Sequence, residues 1–236
     1  MTNLLDPGIT ISQPEKGYRF SIDPFILAAH VGIKGNERII DIGCGCAIIS
    51  LILAFKSPDL KITGIEIQEE LYICAKKNIM ENKLENNINI IHQDIQKLQT
   101  WDLGGEADII VSNPPYKKRG SGRLNPDSQK AIARHEITLD IDMLFKCSSR
   151  LLKKKGKIYI IFPAQRLSDL ILTMEQNKFS PEFIRFIHAK KESKAKQMIV
   201  CAVKNSNHPH DILSPLYIYD RDNEFSSEYL SLFDIQ

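Results

Sequence analysis

No apolar run in this chain approaches the ~20 residues that a membrane span requires. Met1-Thr2-Asn3-Leu4-Leu5-Asp6 carries neither the basic nor the apolar region of a signal peptide, so the expected location is a cytoplasmic, bacterial-type compartment. Cysteine is scarce. The five cysteines, at 44, 46, 74, 147 and 201, are scattered and odd in number, which fits no disulfide framework. Cys44 and Cys46 stand too close together, and too isolated from other ligands, for a zinc site, and are read as reduced thiols. Net charge is only +2, which excludes a generally basic nucleic-acid coat. There is no internal repeat, low-complexity tract or linker. At 236 residues, 43% hydrophobic and 25% charged, the chain suits one globular domain with a substantial core.

What is present gathers at the ends of apolar runs. Asp108-Ile109-Ile110-Val111-Ser112 reads as a buried strand entering the turn Asn113-Pro114-Pro115-Tyr116. Two prolines fix that backbone and remove two N–H donors, leaving carbonyls, one amide side chain and an aromatic plate. Such a turn suits a planar amine, although a Pro-Pro turn with a chance Asn and Tyr is the bland alternative. Upstream, Arg38-Ile39-Ile40-Asp41-Ile42 runs into Gly43-Cys44-Gly45-Cys46-Ala47 and then an apolar helix. Glycines let a ligand approach the backbone closely, and the helix offers its N-terminal dipole. Alone, Gly-x-Gly is often just a tight βα turn. Asp41 decides the chemistry: it would repel a pyrophosphate, but it matches the cationic amino-acid end of S-adenosylmethionine (AdoMet). A phosphate loop is excluded because no Gly-Lys-Ser/Thr follows.

Two further runs end in acids. Lys61-Ile62-Thr63-Gly64-Ile65-Glu66 places a carboxylate, with Ile67 beside it, where ribose hydroxyls can be accepted. Asn89-Ile90-Ile91-His92-Gln93-Asp94 ends in a carboxylate able to bond an adenine amine. Each acid alone is more often a solvated strand end. Three successive strands ending in Asp41, Glu66 and Asp94, then a fourth ending at Asn113, make a ligand site at the carboxyl edge of an open α/β sheet.

The pattern predicts an extended lead-in over 13–22, Asp23 as N-cap with Pro24 at the first helical position, and a helix over 25–33. Strands at 38–42, 61–66, 88–92, 108–112 and 157–162 then alternate with helices at 46–55, 69–82, 139–153 and 165–176. Runs 182–188 and 197–203 lack a helix between them and are predicted to pair as an antiparallel hairpin at the sheet edge. Positive charge is clustered. Lys117, Lys118, Arg119 and Arg123 follow the candidate turn and favour phosphate contact. Lys153, Lys154, Lys155 and Lys157 read as a solvated helix end. Lys190, Lys191, Lys194 and Lys196 divide evenly between a solvated loop and an RNA-contacting face. Residues 117–137 are long, polar and aperiodic, and are expected to form a mobile substrate lid. His135, in Arg134-His135-Glu136, is read as a helix-leading or RNA-contacting residue rather than a base. Residues 222–236 carry Tyr229, Leu230 and Phe233 as a short docking helix of no assigned function.

The order of acids and turns resembles the Rossmann-like AdoMet-dependent methyltransferases, and Asn-Pro-Pro-Tyr resembles those acting on exocyclic or amide nitrogens. More narrowly, Gln13-Pro14, Gly17–Phe25, Gly64–Gln68, the stretch from Ser112 to Asp140 and Leu216–Asp220 are similar to the bacterial tRNA1(Val) adenine-N6-methyltransferase family. The likeness spans roughly residues 13–221. It implies a class I α/β fold with a seven-stranded, mostly parallel sheet, a C-terminal antiparallel hairpin and helices on both faces. It also implies a single domain, residues 13–36 covering substrate or cofactor, AdoMet as methyl donor with S-adenosylhomocysteine as product, and no metal. Asp41, Gly43, Gly45, Glu66, Ile67, Asp94 and Asn113 would hold the cofactor. Asn113, Pro114, Pro115 and Tyr116 would be the catalytic turn. Tyr116, Lys117, Lys118, Arg119, Arg123, Arg134 and His135 would meet the tRNA anticodon loop, with adenosine 37 as target. Ala47 departs from the family, standing where a third glycine is usual.

Three rivals remain. A protein-glutamine methyltransferase also uses Asn-Pro-Pro-Tyr, yet only residues 1–37 precede the first core strand, leaving no room for that family's N-terminal helical domain. A DNA adenine methyltransferase would carry a sizeable target-recognition region, and none is visible. A non-catalytic RNA- or AdoMet-binding protein would have no need of the acids and the Asn-Pro-Pro-Tyr turn together.

Overall fold

The computed structural model of the chain describes residues 8–14, 21–114, 140–207, 209–220 and 224–232. The lid expected at 117–137, Phe233 of the expected docking helix, and the Pro115, Tyr116, Lys117, Lys118, Arg119, Arg123, Arg134 and His135 assignments lie outside them. The chain folds in the order α1 (Asp23–His30), β1 (Arg38–Ile42), α2 (Ile48–Lys56), β2 (Lys61–Glu66), α3 (Glu69–Glu81), β3 (Ile88–His92) and β4 (Ala107–Ser112). After the undescribed segment come α4 (Ile141–Leu151), β5 (Leu152–Pro163), α5 (Leu167–Gln176), β6 (Phe179–His188), β7 (Ala195–Lys204), β8 (Asp211–Tyr217) and the short α6 (Ser227–Ser231).

One eight-stranded sheet has the order β3-β2-β1-β4-β5-β7-β6-β8. β1 to β5 run parallel, and β7 is antiparallel to both β5 and β6. Alternation along the strands divides the core. Ile39, Ile62 and Ile109 face one side with α1, α2 and α3, while Ile40, Ile42, Ile65 and Ile110 face the other with α4 and α5. Among the described residues no helix is long and apolar enough to cross a membrane.

Four expectations change. Among the described residues the sheet has eight strands, not seven, and the β6–β7 hairpin is interior because β8 pairs parallel with β6. β8 escaped notice because Asp211–Ser214 are exposed and Pro215 interrupts the run; proline is tolerated there because the strand is at the edge. Helix α1 begins at Asp23, with Ile22 as its cap residue, and Asp23 accepts from Gln197 Nε2 at 2.7 Å instead of capping. The helix after the undescribed segment stops at Leu151, and β5 starts at once. The Lys153–Lys157 group therefore begins a strand, where Lys153 pairs with Asp108 at 2.6 Å and Lys157 with Glu182 at 2.7 Å.

Candidate active site

Parallel register brings the ends of β3, β2, β1 and β4 side by side. Asp41 lies opposite Gly64 and Val111, and Glu66 opposite His92. The glycine-rich turn is drawn onto β2, since the N–H groups of Gly43 and Cys44 both donate to the Ile65 carbonyl, at 2.8 and 3.1 Å. Three left-handed residues shape it: Gly43 (φ 70°), Gly45 (φ 56°) and Ala47 (φ 64°). A Cβ on Gly43 would meet nothing within 4 Å, so this backbone faces open space rather than packed protein. At Gly64 the opposite holds: a Cβ would fall 2.9 Å from Cys44 Sγ, so glycine there lets the turn seat against β2.

Asp41 is fully buried. Its Oδ2 accepts from Ser50 Oγ at 2.7 Å, while Oδ1 has no hydrogen-bond partner among the described residues. Burial pushes its pKa up to about 7, with Ser50 opposing and the Glu66 charge adding a little. A buried carboxylate with an orphan oxygen, beside a turn open to solvent, fits a cationic group. Glu66 is 4% exposed and accepts from three backbone N–H groups, those of Gly45, Ile67 and Gln68, each at 2.9 Å. Burial raises its pKa in spite of those bonds. Its carboxylate thus sets the turn's shape. Ile67, an exposed apolar residue, follows Glu66 directly. Asp94 Oδ1 accepts from Gln96 N at 2.9 Å and caps the 3-10 turn Ile95–Lys97.

Asn113 and the buried Pro114 follow β4 directly. Asn113 lines a cleft with Pro24, Gly43, Cys44, Cys46, Ile48 and Ile49. The free volume is ≈ 20 Å³, about that of a water molecule and too small to enclose a nucleoside. All five cysteines are free thiols, and burial raises the Cys44 and Cys46 pKa values.

Sequence reasoning missed the residues that hold this edge in place. Ser112 Oγ donates to the Ile42 carbonyl at 2.8 Å, locking the end of β4 to β1. Ser50 holds Asp41. Asn78, fully buried on α3, donates to the Cys46 carbonyl at 2.9 Å and to the Ser12 carbonyl at 3.0 Å, and accepts from Ser12 N at 2.8 Å. The available signals were a serine before Asn-Pro-Pro-Tyr and a polar residue on the Leu71–Ala75–Ile79 apolar face.

This sheet, with the glycine-rich turn and the acidic strand ends gathered at the carboxyl edge of β1 to β4, is the Rossmann-like fold of the methyltransferases. The chain belongs to the methyltransferase small domain family, whose model matches residues 24–178. Among curated relatives, the tRNA1(Val) (adenine(37)-N6)-methyltransferase of Bacteroides thetaiotaomicron is 34% identical over 155 residues, 65% of this chain and 63% of that protein. The enzyme of the same name from Histophilus somni is 29% identical over 224 residues, covering 94% and 91%. With the Bacteroides protein, then, the match spans less than two thirds of the relative's length. Of solved structures, a predicted O-methyltransferase from Agrobacterium tumefaciens superposes with a TM-score of 0.73 at 18% identity, covering 90% of this chain and 96% of that one. A ribosomal protein L11 methylase from Lactobacillus delbrueckii gives 0.55 at 12% identity, covering 78% of each. These two likenesses concern the fold.

Proposed function

We propose that the chain is a single-domain, cytoplasmic enzyme that methylates the exocyclic N6 of an adenine in tRNA, with AdoMet as donor and adenosine 37 of tRNA1(Val) as target. The observation that carries this is the meeting of Asn113 with Gly43, Cys44 and Cys46 of the glycine-rich turn in one cleft, within a family of methyltransferases. The names of the relatives supply the target.

The described residues fit the donor. Asp41, through its orphan Oδ1, and the open backbone at Gly43 and Gly45 would hold the amino-acid end. Glu66 would take the ribose hydroxyls, and Ile67 and Asp94 the adenine. AdoMet supplies, when bound, a methyl group on an electron-poor sulfur. The chain's own work is to present the acceptor. An aromatic amine is a poor nucleophile because its lone pair is delocalised into the ring. Asn113 Oδ1 and the Pro114 carbonyl accept its two N–H bonds and hold it while charge develops on nitrogen, preorganised acceptors of the kind that lower a barrier most. Tyr116 would stack on the extruded base, contributing about 1–3 kcal/mol. The basic residues Lys117, Lys118, Arg119, Arg123, Arg134 and His135 are assigned to the RNA.

The test is methyl transfer from labelled AdoMet to total tRNA, followed by nucleoside mass spectrometry. N6-methyladenosine gained in one valine isoacceptor supports the reading; label in protein with unmodified tRNA overturns it in favour of glutamine methylation. Asn113→Ala is expected to lower kcat by about 10²–10³-fold, with the Kd for AdoMet changed far less.

A further inference from the structure

The sheet topology separates the two described basic clusters. β1, β4 and β5 are parallel, so their carboxyl ends share the edge that carries Asn113. β7 enters at that edge, with Gln197 opposite Pro163, and β6 leaves there, with His188 opposite Ala195. The 189–194 turn that joins them therefore stands on the same edge as the cleft. Strand spacing puts its root roughly 10–15 Å from β4. Lys153, Lys154 and Lys155, at the start of β5, stand at the opposite edge.

Charge pairing separates them in part, since Lys154 and Lys155 are exposed with no carboxylate partner among the described residues. Lys153 and Lys157 are neutralised by Asp108 and Glu182. Lys191, Lys194 and Lys196 are exposed and Lys190 half-buried; none of the four has a carboxylate partner among the described residues, and Glu192 is the one acid among them. The turn is also closed by its own hydrogen bonds. Ser193 Oγ donates to the Lys190 carbonyl at 2.7 Å and accepts from Lys190 N at 3.0 Å. The His188 ring bonds the Ser193 carbonyl at 2.7 Å, and Tyr219 N donates to Ala189 O at 2.8 Å. Gln197, at its foot, is tied to Asp23, next to the Pro24 that lines the cleft.

We propose that the Lys190–Lys196 hairpin tip is a preformed phosphate-binding surface that grips the RNA backbone beside the base presented to Asn113. Resting on the tRNA reading above, it adds where the body of the RNA lies: across β5, β7 and β6, on the side of β4 away from Glu66. A turn held by its own hydrogen bonds presents lysines without first being ordered, and unpaired lysines need not break internal ion pairs to meet phosphates.

The experiment titrates a fluorescent valine tRNA against the full chain with S-adenosylhomocysteine present. The variants are Lys191→Glu/Lys194→Glu/Lys196→Glu, the same three positions changed to Gln, and Lys154→Glu/Lys155→Glu on the opposite edge. The Glu triple is expected to weaken tRNA binding by about tenfold or more near 100 mM salt, and to flatten the log Kd against log salt slope by roughly 2–3. The Gln triple should fall between it and wild type, and the opposite-edge pair within about twofold of wild type. Binding of S-adenosylhomocysteine should be unchanged in all, which shows that they are folded. Wild-type affinity and slope in the Glu triple overturn the proposal, as does equal loss in the opposite-edge pair. Wild-type binding to polyglutamate as tight as to tRNA also overturns it, in favour of an acidic protein surface. Methyl transfer is read separately: a wild-type chain that binds tRNA without methylating it refutes the enzymatic reading and leaves the titration to decide the surface.

Discussion

Asp41 has no exposed surface, one oxygen held by Ser50 and the other unpartnered, and its pKa is raised to about 7. Below pH 7 the unliganded chain holds it protonated, and a cation arriving opposite it must displace that proton. AdoMet affinity is therefore expected to climb as pH rises toward 7, by up to about tenfold per unit, and to level off above it. Calorimetric titration from pH 5.5 to 8.5 measures this, and Asp41→Asn should weaken binding and flatten the profile; an unchanged slope in that variant removes Asp41 from the site. Ala47 poses the converse question, an L-residue at φ 64° where glycine was expected. The left-handed conformation costs alanine about 1–2 kcal/mol. Glycine would forgo about 0.8 kcal/mol of methyl burial and add about 0.4–1 kcal/mol of unfolded-chain entropy. The terms nearly cancel, which is why the departure is tolerated. Urea unfolding should find Ala47→Gly within about 0.5 kcal/mol of wild type and Ala47→Val destabilised by about 2 kcal/mol or more, since a branched side chain adds crowding to the same strain.

At the scale of elements, strands β1 to β4 and the residues at their ends were legible because each is a short apolar run punctuated by an acid, glycine or proline. The boundary between α4 and β5 was not, because Leu151-Leu152 continues the apolar pattern with no glycine or proline between helix and strand. The strap over α3 was equally hidden. Residues 10–12 bond to Asn82 and Asn78, one turn apart, through Thr10 N to Asn82 Oδ1 at 2.9 Å and the Ser12 pair. Asparagine in a helix reads as a neutral surface residue unless its burial is known, and here Asn78 is fully buried while also holding the Cys46 carbonyl. It thereby joins the N-terminal segment to the candidate cofactor turn. Asn78→Ala leaves the Cys46 carbonyl and the Ser12 N–H without that partner, at an expected cost of about 2–3 kcal/mol. Differential scanning calorimetry checks the stability, and limited proteolysis should show faster cleavage near residues 8–14; a variant as stable and as protease-resistant as wild type would show that the strap is held elsewhere.

Across the whole molecule, buried ionisable groups with opposite pH demands share one fold. His30 on α1 bonds the Ile26 carbonyl through Nδ1 and lies 3.0 Å from Arg185 Nη1 through Nε2, and Arg185 also bonds Ser214 O and Glu228. This cluster ties α1, β6, β8 and α6 together, far along the sheet from β3. Burial holds the His30 imidazole below its ordinary 6.5, and Arg185 and Lys56 repel its charged form. The unfolded chain takes up this proton first as pH falls, so the contribution of His30 to stability is full above about 6.5 and is lost below it. Asp41 and Glu66 act in the opposite sense: both are raised in the fold, so the folded state binds the extra proton and stability declines as pH rises from about 4 toward 7. Over pH 5–7 the two trends oppose, and wild type should show a shallow dependence. His30→Gln keeps an acceptor for Arg185 but no titrating ring, which uncovers the carboxylate trend. Urea midpoints for the variant should then fall from pH 5 to 7 more steeply than those of wild type. Parallel curves for the two proteins would mean that burial does not hold His30 neutral in the fold.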